Sequence, residues 1–149
     1  MSEVLGDLQD RTFAGATAAT GVSYPPERRL SAVQLASYLD RRVFAVIGSA
    51  RADGRPHAAM SVYVRRGTTF WLPTMAGSVR ERNLRRTPWL TMVIAEGDHP
   101  VHIAVIAEGP AEVVATSHVV ERGDPLAVVG RRLDHGEGFC MVLRVAADR

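Results

Sequence analysis

The segment from Ser78 to Pro88 holds the residues with the clearest capacity for chemistry. Ser78, followed three residues later by Glu81, has the spacing of a capping box and predicts a helix start. The helix should end at Thr87, because the residue before a proline is disfavoured in the α region. The first amides of a helix lack intrahelical partners and lie at the positive end of its dipole, so they suit an anion. Arg80 lies in this turn, where the dipole alone would favour an acid, and it therefore indicates an anion bound nearby.

The basic residues of this helix are open to two further interpretations. One is a solvated basic helix on the surface of a sheet protein. The other is a nucleic-acid interface, because Arg82, Arg85 and Arg86 cannot all face a core, and Phe70 and Trp71 could then stack on bases. Few aromatic residues lie among the arginines and the net charge is only +2, so we do not expect nucleic acid as the partner.

Other catalytic and metal-binding patterns are weak. All 18 basic residues are arginine, so a lysine Schiff base and a Gly-Lys-Ser/Thr phosphate loop are excluded. Neither Ser49 nor Ser61 lies in a Gly-x-Ser-x-Gly elbow, and no GxGxxG follows a predicted strand. No histidine pair has the i,i+4 spacing of a helical metal site, and only the second and third lie close together, so we predict no metal; the histidines are His57, His99, His102, His118 and His135.

The length and composition predict one ordinary globular domain. The chain has 149 residues, of which 46% are hydrophobic and 23% charged. The single Cys140 excludes an internal disulfide and a multi-cysteine metal site. With no charged leader before an apolar run, and no apolar run approaching about 18 residues, we expect no signal peptide, no membrane span and a cytoplasmic location.

The first 29 residues differ in composition from the rest of the chain. Residues 1–29 are rich in Ala, Thr and Gly and end in two prolines and two arginines, so we interpret them as an extended or partly disordered arm that packs on a partner subunit. Residues 30–149 form the predicted domain. It begins with a helix, because Ser31 and Gln34 have capping-box spacing and Leu35, Tyr38 and Leu39 continue an apolar stripe at helical spacing.

The remaining pattern is one of short strands joined by turns. Asp53-Gly54 is a strong hairpin signal between the first two strands, and Gly109-Pro110 indicates a bend before the last part of a later strand. Two helical patches are predicted within 116–132. Strands at near-regular spacing favour a mainly β, small antiparallel barrel with a few short helices, its strands predicted at 43–48, 55–64, 68–73, 89–95, 101–107, 111–115 and 139–145.

Taken together, these segments resemble the split β-barrel flavoprotein family, the pyridoxamine 5′-phosphate oxidase-like proteins and their deazaflavin (F420)-dependent relatives. The resemblance spans about 31–115, and its most specific part is 77–88. It implies an antiparallel split β-barrel (the FMN-binding split barrel) with a few short helices. The residues that carry it lie at 44–47, 53–57, 61–63, 71–78, 80, 82–88, 90–94 and 109–113.

The resemblance also implies a homodimer with two cofactor sites at the subunit interface. It makes Arg80 the cation that binds the cofactor phosphate, with hydrogen-bonding neighbours at Ser78, Thr74 and Asn83. The cofactor would lie beside the strand residues His57, Ala59 and Ser61, with Met75, Ala76 and Gly77 passing beneath it. FMN and coenzyme F420 share the ribityl phosphate, so the motif does not separate the two cofactors.

The function implied by the resemblance is an FMN- or F420-dependent oxidoreductase that transfers hydride between cofactor and a small organic substrate. The chain is shorter than a pyridoxamine phosphate oxidase, and its ending at 143–146 does not resemble that enzyme's C-terminus, so we do not expect that particular activity. No catalytic residue is identified; Tyr63, His57 and His102 are candidate proton donors. The alternatives are a non-catalytic flavin- or deazaflavin-binding or carrier protein and a basic nucleic-acid-binding barrel.

Overall fold

The computed structural model describes residues 2–98, 101–115 and 141–146. The helices are α1 (Ser2–Ala14), α2 (Ala18–Ser23), α3 (Ala32–Arg41) and α4 (Val79–Arg86), with a 3-10 turn at Pro26–Arg28. The strands are β1 (Phe44–Ala50), β2 (Pro56–Val62), β3 (Val64–Arg66), β4 (Thr69–Thr74), β5 (Trp89–Asp98), β6 (Val101–Ala115) and β7 (Met141–Ala146). The helical patches predicted within 116–132 lie outside the described residues.

The strands form one antiparallel sheet in the order β2-β1-β5-β6-β7-β4-β3. The long strand β6 joins its two halves, because its first part pairs with β5 as far as Pro110 and its last part pairs with β7 from Ala111. The change of partner falls at the predicted Gly109-Pro110 bend. The mainly β, antiparallel architecture predicted from the sequence is confirmed, although β5 continues to Asp98, beyond the predicted strand end at residue 95.

Tyr63 brings the two edges of this sheet together. It is the single residue between the edge strands β2 and β3, and it is 2% exposed. Its amide donates to the carbonyl of Val43 (3.1 Å), and its hydroxyl donates to the carbonyl of Leu39 (2.6 Å). Its ring lies edge-to-face on Phe70 with the centroids 5.7 Å apart. Because this buried residue holds both edges to the same core, β2 stays close to β4, and the site is built across that gap.

The core is formed by apolar side chains from the inner face of the sheet and from three helices. Helix α3 contributes the stripe predicted from its spacing, Leu35, Tyr38 and Leu39, and Ser31 and Gln34 form the predicted capping box. Helix α4 contributes Leu84, which is 2% exposed. The largest fully buried side chains are Tyr38, Phe70, Ile47, Leu72, Leu84, Leu90, Met92 and Ile94. Among the described residues, no helix is both long and apolar enough to cross a membrane.

Most of the N-terminal segment is helical, so the extended conformation predicted as one alternative for it is wrong. Leu5 and Leu8 of α1 are buried in the common core, and the Gln9 side-chain amide donates to the carbonyl of Leu30 (2.9 Å). The close approach of α1 to α3 occurs at a residue without a side chain, Gly6. The Ala/Thr/Gly-rich composition of the segment did not indicate this pair of apolar residues at i,i+3. Such a pair is enough to dock a helix when a neighbouring helix offers an apolar face.

A glycine substitution tests this packing. A Cβ at residue 6 would lie 2.9 Å from the Cβ of Ala32. Overpacking of this kind costs roughly 1–3 kcal/mol, which exceeds the helix-propensity gain of up to ~1 kcal/mol. We therefore expect Gly6→Ala to lower the free energy of unfolding by about 1 kcal/mol in chemical denaturation. Gly21→Ala in α2, where nothing lies within 4 Å, is the matched control and should raise it slightly. Equal stabilisation by both substitutions would show that α1 does not pack on α3.

Candidate functional site

The turn before α4 positions the site. Ser78 is the N-cap of α4, as predicted, and its hydroxyl accepts from the amide of Glu81 (3.2 Å). Gly77 has a φ of +76°, a conformation that favours glycine, so the chain can turn sharply into the helix. In a complete capping box the carboxylate of Glu81 would accept from the amide of Ser78. Here it accepts from the amide of Gly77 instead, and the amide of Ser78 donates to the carbonyl of Met75 (3.2 Å). The Gly77 amide therefore has a partner within the chain.

The side chain of Arg80 crosses the gap between β2 and β4. Its Nη1 donates to the carbonyl of Pro73 (3.2 Å) and lies 3.4 Å from the hydroxyls of Ser61 and Thr74. Its Nε is buried and has no hydrogen-bond partner among the described residues. Burial lowers the pKa of Arg80 from its usual value, yet a guanidinium stays protonated in proteins. A buried cationic donor without a partner is costly, and an anion bound there would satisfy it.

A pocket of about 520 Å³ opens beside this guanidinium. Seven of the ten residues predicted to hold a cofactor line it: His57, Ala59, Ser61, Thr74, Met75, Ser78 and Arg80. Ala76 and Gly77 are exposed in the turn and do not line it. The structure thus brings together the predicted strand residues and the predicted helix start, which are separated by about 20 positions in the sequence.

Asn83 does not belong to this pocket. It is 4% exposed, its Nδ2 donates to the hydroxyl of Ser49 (3.0 Å), and its Oδ1 accepts from Nη2 of Arg86 (3.3 Å). These contacts attach α4 to the end of β1. The family resemblance implied that Asn83 is a neighbour of the cofactor phosphate, whereas the structure directs its side chain to the end of β1.

Apolar residues also line the pocket, and two of them, Phe44 and Met60, are not among the residues predicted from the sequence. Phe44, Met60 and Met75 form part of its rim and are 56%, 66% and 59% exposed. Met60 and His57 lie on opposite faces of β2, but β2 is an edge strand, so residues from both of its faces border the opening. The described lining contains one cation, Arg80, and no acid. The pocket therefore suits a ligand that combines an anionic group with an apolar or aromatic body.

Of the three candidate proton donors, only one lines this pocket. His57 does so, and its Nδ1 is buried without a hydrogen-bond partner among the described residues. Tyr63 is packed in the core with its hydroxyl bonded to a carbonyl, and burial raises the pKa of Tyr63 well above its usual value, so it is a structural residue. His102 is exposed on β6 and does not line the pocket.

The structure offers no metal site within the part of the chain that it describes. No group of three or more His, Cys, Asp and Glu residues is placed there to bind a metal ion. Of the pair formed by His99 and His102, His99 lies outside the described residues, as do His118, His135 and Cys140.

The outer face of the sheet carries an apolar row in exact cross-strand register next to the pocket. Met60 of β2 lies opposite Val46 of β1, Val46 lies opposite Val93 of β5, and Val93 lies opposite Ile106 of β6. Met60, Val46 and Ile106 are exposed, and so is Phe44, two residues before Val46 on the same face. We call these five residues the outer apolar row. Two of them, Phe44 and Met60, also border the pocket.

Solved structures with the same fold include proteins with different ligands. An FAD-binding protein from Mesorhizobium loti is 18% identical, with 80% of this chain and 91% of that chain covered and a TM-score of 0.66. An F420 reductase is 16% identical (76% and 92% covered, TM-score 0.60). HutZ, the heme storage protein from Vibrio cholerae, is 14% identical (78% and 89% covered, TM-score 0.61). At these identities the similarity establishes the fold, which confirms the predicted antiparallel split β-barrel.

The family is established by sequence. No curated protein matches the chain significantly. The sequence profile of the family described as pyridoxamine 5′-phosphate oxidase matches residues 33–129, which is more than half of the chain and includes every residue that lines the pocket. With its split-barrel fold and this match, the chain belongs to the pyridoxamine 5′-phosphate oxidase family.

Proposed function

We propose that this protein is an FMN- or F420-dependent oxidoreductase that transfers hydride between its cofactor and a small organic substrate. The observation that carries this proposal is the buried guanidinium of Arg80, whose Nε lacks a partner among the described residues and which borders a largely apolar pocket. A ribityl phosphate attached to a large ring system combines an anionic group, which Arg80 would bind, with an aromatic body, which the apolar lining would contact. The pocket volume of about 520 Å³ falls within the range of roughly 300–1,000 Å³ that is usual for cofactor sites.

The residues present fit such a cofactor. The phosphate would bind to Arg80, with the hydroxyls of Ser78 and Thr74 as further hydrogen-bonding groups on the pocket wall. Phe44, Met60 and Met75 offer apolar surface to the ring. When bound, the cofactor supplies the hydride chemistry, while the protein binds it, orients it and shields it from water. His57 is the proton-donor candidate that lines the pocket and has an unsatisfied ring nitrogen for a polar ligand atom.

The comparisons support this ligand class more than a particular activity. The family and two structural neighbours, an FAD-binding protein and an F420 reductase, are associated with flavins or a deazaflavin. Another structural neighbour is a heme storage protein, so the same fold also occurs in a protein named for storage rather than for catalysis. A flavin- or deazaflavin-binding or carrier protein without turnover is therefore the second candidate function.

A nucleic-acid-binding barrel gains no support from the described residues. Phe70, one of the two aromatic residues expected to stack on bases, is 1% exposed and packs on Tyr63 in the core. Arg85 is paired with Glu81, with its Nε 2.7 Å from the carboxylate. Single-stranded nucleic acid binds where exposed aromatic rings lie beside arginines that are not already paired. Phe70 and Arg85 do not form such a surface.

Arg80→Ala tests the cofactor site. The substitution removes a charge-assisted contact from a desolvated position, so we expect the affinity for FMN or F420 to fall by about 2 kcal/mol, or roughly 30-fold. Titration of each cofactor, followed by its visible absorbance, gives both affinities and shows which cofactor the native protein prefers. Arg28→Ala, outside the pocket, is the charge-matched control. Unchanged affinity in Arg80→Ala would remove Arg80 from the site, and a native protein that binds neither cofactor would refute the proposal.

Hydride transfer separates the enzyme from the carrier. With the preferred cofactor bound in its reduced form, we expect its absorbance to change on addition of a small acceptor, whereas a carrier should leave the spectrum constant. We expect His57→Gln to slow this change with little effect on cofactor affinity, because glutamine preserves polarity but cannot supply a proton at neutral pH. An equal loss of affinity would show that His57 only helps to bind the ring.

We further propose that the protein is a homodimer that assembles through the outer apolar row, with a cofactor site near each end of the interface. A contiguous exposed apolar surface in register across four strands is typical of a protein–protein contact. Phe44 and Met60 belong both to this row and to the pocket, so a second copy seated on the row would also cover the pocket opening.

A charge within the row tests this assembly. Val46→Glu would place a carboxylate in the proposed interface, and we expect the mass measured by light scattering to fall from that of a dimer to that of a monomer. Cofactor affinity should fall with it, because the pocket would lose its cover. Val33→Glu on α3, which is 68% exposed and outside the row, is the matched control and should not change the mass. A Val46→Glu variant that remains a dimer would place the interface elsewhere.

A further inference from the structure

A second cleft lies beside α4, and the proposed cofactor site does not use it. It has a volume of about 350 Å³ and is formed between this helix and the hairpin turn that joins β1 to β2. Its charged lining consists of Arg51, Arg55, Arg82, Arg86 and Asp53. Four arginines against one aspartate leave a surplus of three positive charges, which distinguishes this cleft from the pocket with its single cation.

The one acid in the cleft is Asp53, and its pKa is lowered by hydrogen bonds from Arg55 and, less strongly, by the charge of Arg51. Arg55 binds the carboxylate of Asp53 through Nε (2.8 Å) and Nη2 (2.7 Å). The guanidinium groups of Arg51 and Arg82 form no hydrogen bond or ion pair with any residue that the structure describes. Their N–H donors are therefore available to a ligand.

The cleft is held open by contacts between α4 and the end of β1. Asn83 Nδ2 donates to the hydroxyl of Ser49 (3.0 Å), and Arg86 Nη2 donates to the carbonyl of Ala50 (3.3 Å). In the turn, the amide of Arg51 donates to the carbonyl of Arg55 (2.9 Å), and Gly54 has a φ of +83°. These bonds fix the turn opposite the helix, so the arginines of the two elements face one cavity without requiring a ligand to gather them.

The placement of the arginines on α4 is unfavourable for the helix itself. Arg82 and Arg86 are separated by four residues, so two like charges lie on one helix face, an arrangement that destabilises a helix. Arg85 lies on a different face of the helix and pairs with the oppositely charged Glu81, four residues before it. Arg82 and Arg86 are exposed beside the cleft, where a bound anion would offset the repulsion between them.

We propose that this cleft is a second anion site, which binds the phosphate or carboxylate groups of a multiply charged ligand. Val79 lines both the cleft and the Arg80 pocket, so the two lie on either side of the first turn of α4. The anion is either an outer anionic group of the ligand bound at Arg80, which rests on the proposed function, or a separate small polyanion, which does not.

Binding of inorganic tripolyphosphate to the full chain, without cofactor, tests the site itself. We expect calorimetry at low salt to show one site per chain, with an affinity that falls as salt is added. Arg51→Gln/Arg82→Gln should weaken binding about tenfold or more, because it removes the two guanidinium groups that have no other partner. Arg11→Gln/Arg28→Gln, which removes the same charge elsewhere, should change it less than about twofold.

Two results would overturn the proposal. Equal weakening by both double variants would show that tripolyphosphate responds to overall charge. Loss of binding in Arg80→Gln, with full binding in Arg51→Gln/Arg82→Gln, would place the anion in the other pocket. Because no cofactor is present, both results are independent of whether the protein is a flavin or deazaflavin enzyme.

A second measurement identifies the source of the anion. FMN has one phosphate, whereas FAD carries a second phosphate beyond the position of the first. If the cleft serves the outer part of the ligand at Arg80, the cleft double variant should weaken FAD but not FMN, and tripolyphosphate should compete with FAD. If the anion is separate, tripolyphosphate and FMN should bind together with unchanged affinities.

Discussion

The bridge formed by Arg80 across the gap between β2 and β4 is the interaction on which the site depends. Three oxygens from the two strands surround Nη1, so the guanidinium is fixed in place even though it is partly desolvated. A desolvated cation is favourable only where acceptors compensate for the lost water, and one of its nitrogens still lacks an acceptor among the described residues. The same residue thus closes the edge of the sheet and leaves a donor for a ligand.

The gap exists because of the way in which the chain connects its edge strands. A single buried residue, Tyr63, links β2 to β3, while β4 lies on the other side of β3. The sheet therefore folds back on itself without a continuous ladder at this position, and side chains fill the space where backbone hydrogen bonds would otherwise lie. The apolar rim of the pocket continues onto the outer apolar row, so the cavity and the exposed face of the sheet form one surface.

Helix α4 separates two regions of different charge. Leu84 directs one face of the helix into the core, and the remaining faces then have fixed neighbours. Arg80 reaches the apolar pocket, Arg85 pairs with Glu81, and Arg82 and Arg86 border the second cleft. Four arginines of similar sequence context therefore have three different environments, which is why a short helix can serve two adjacent cavities.

The sequence by itself determined the local features: the start of α4 at Ser78, the capping box of α3 and the hairpin at Asp53-Gly54. These depend on φ preferences and hydrogen bonds within a few residues, so a short segment contains the necessary information. Only the tertiary structure decided that Asn83 packs on Ser49, that Phe44 and Met60 border the pocket and that α1 joins the core. Each of these depends on which distant strand or helix lies opposite, and that partner is set by the packing of the whole chain.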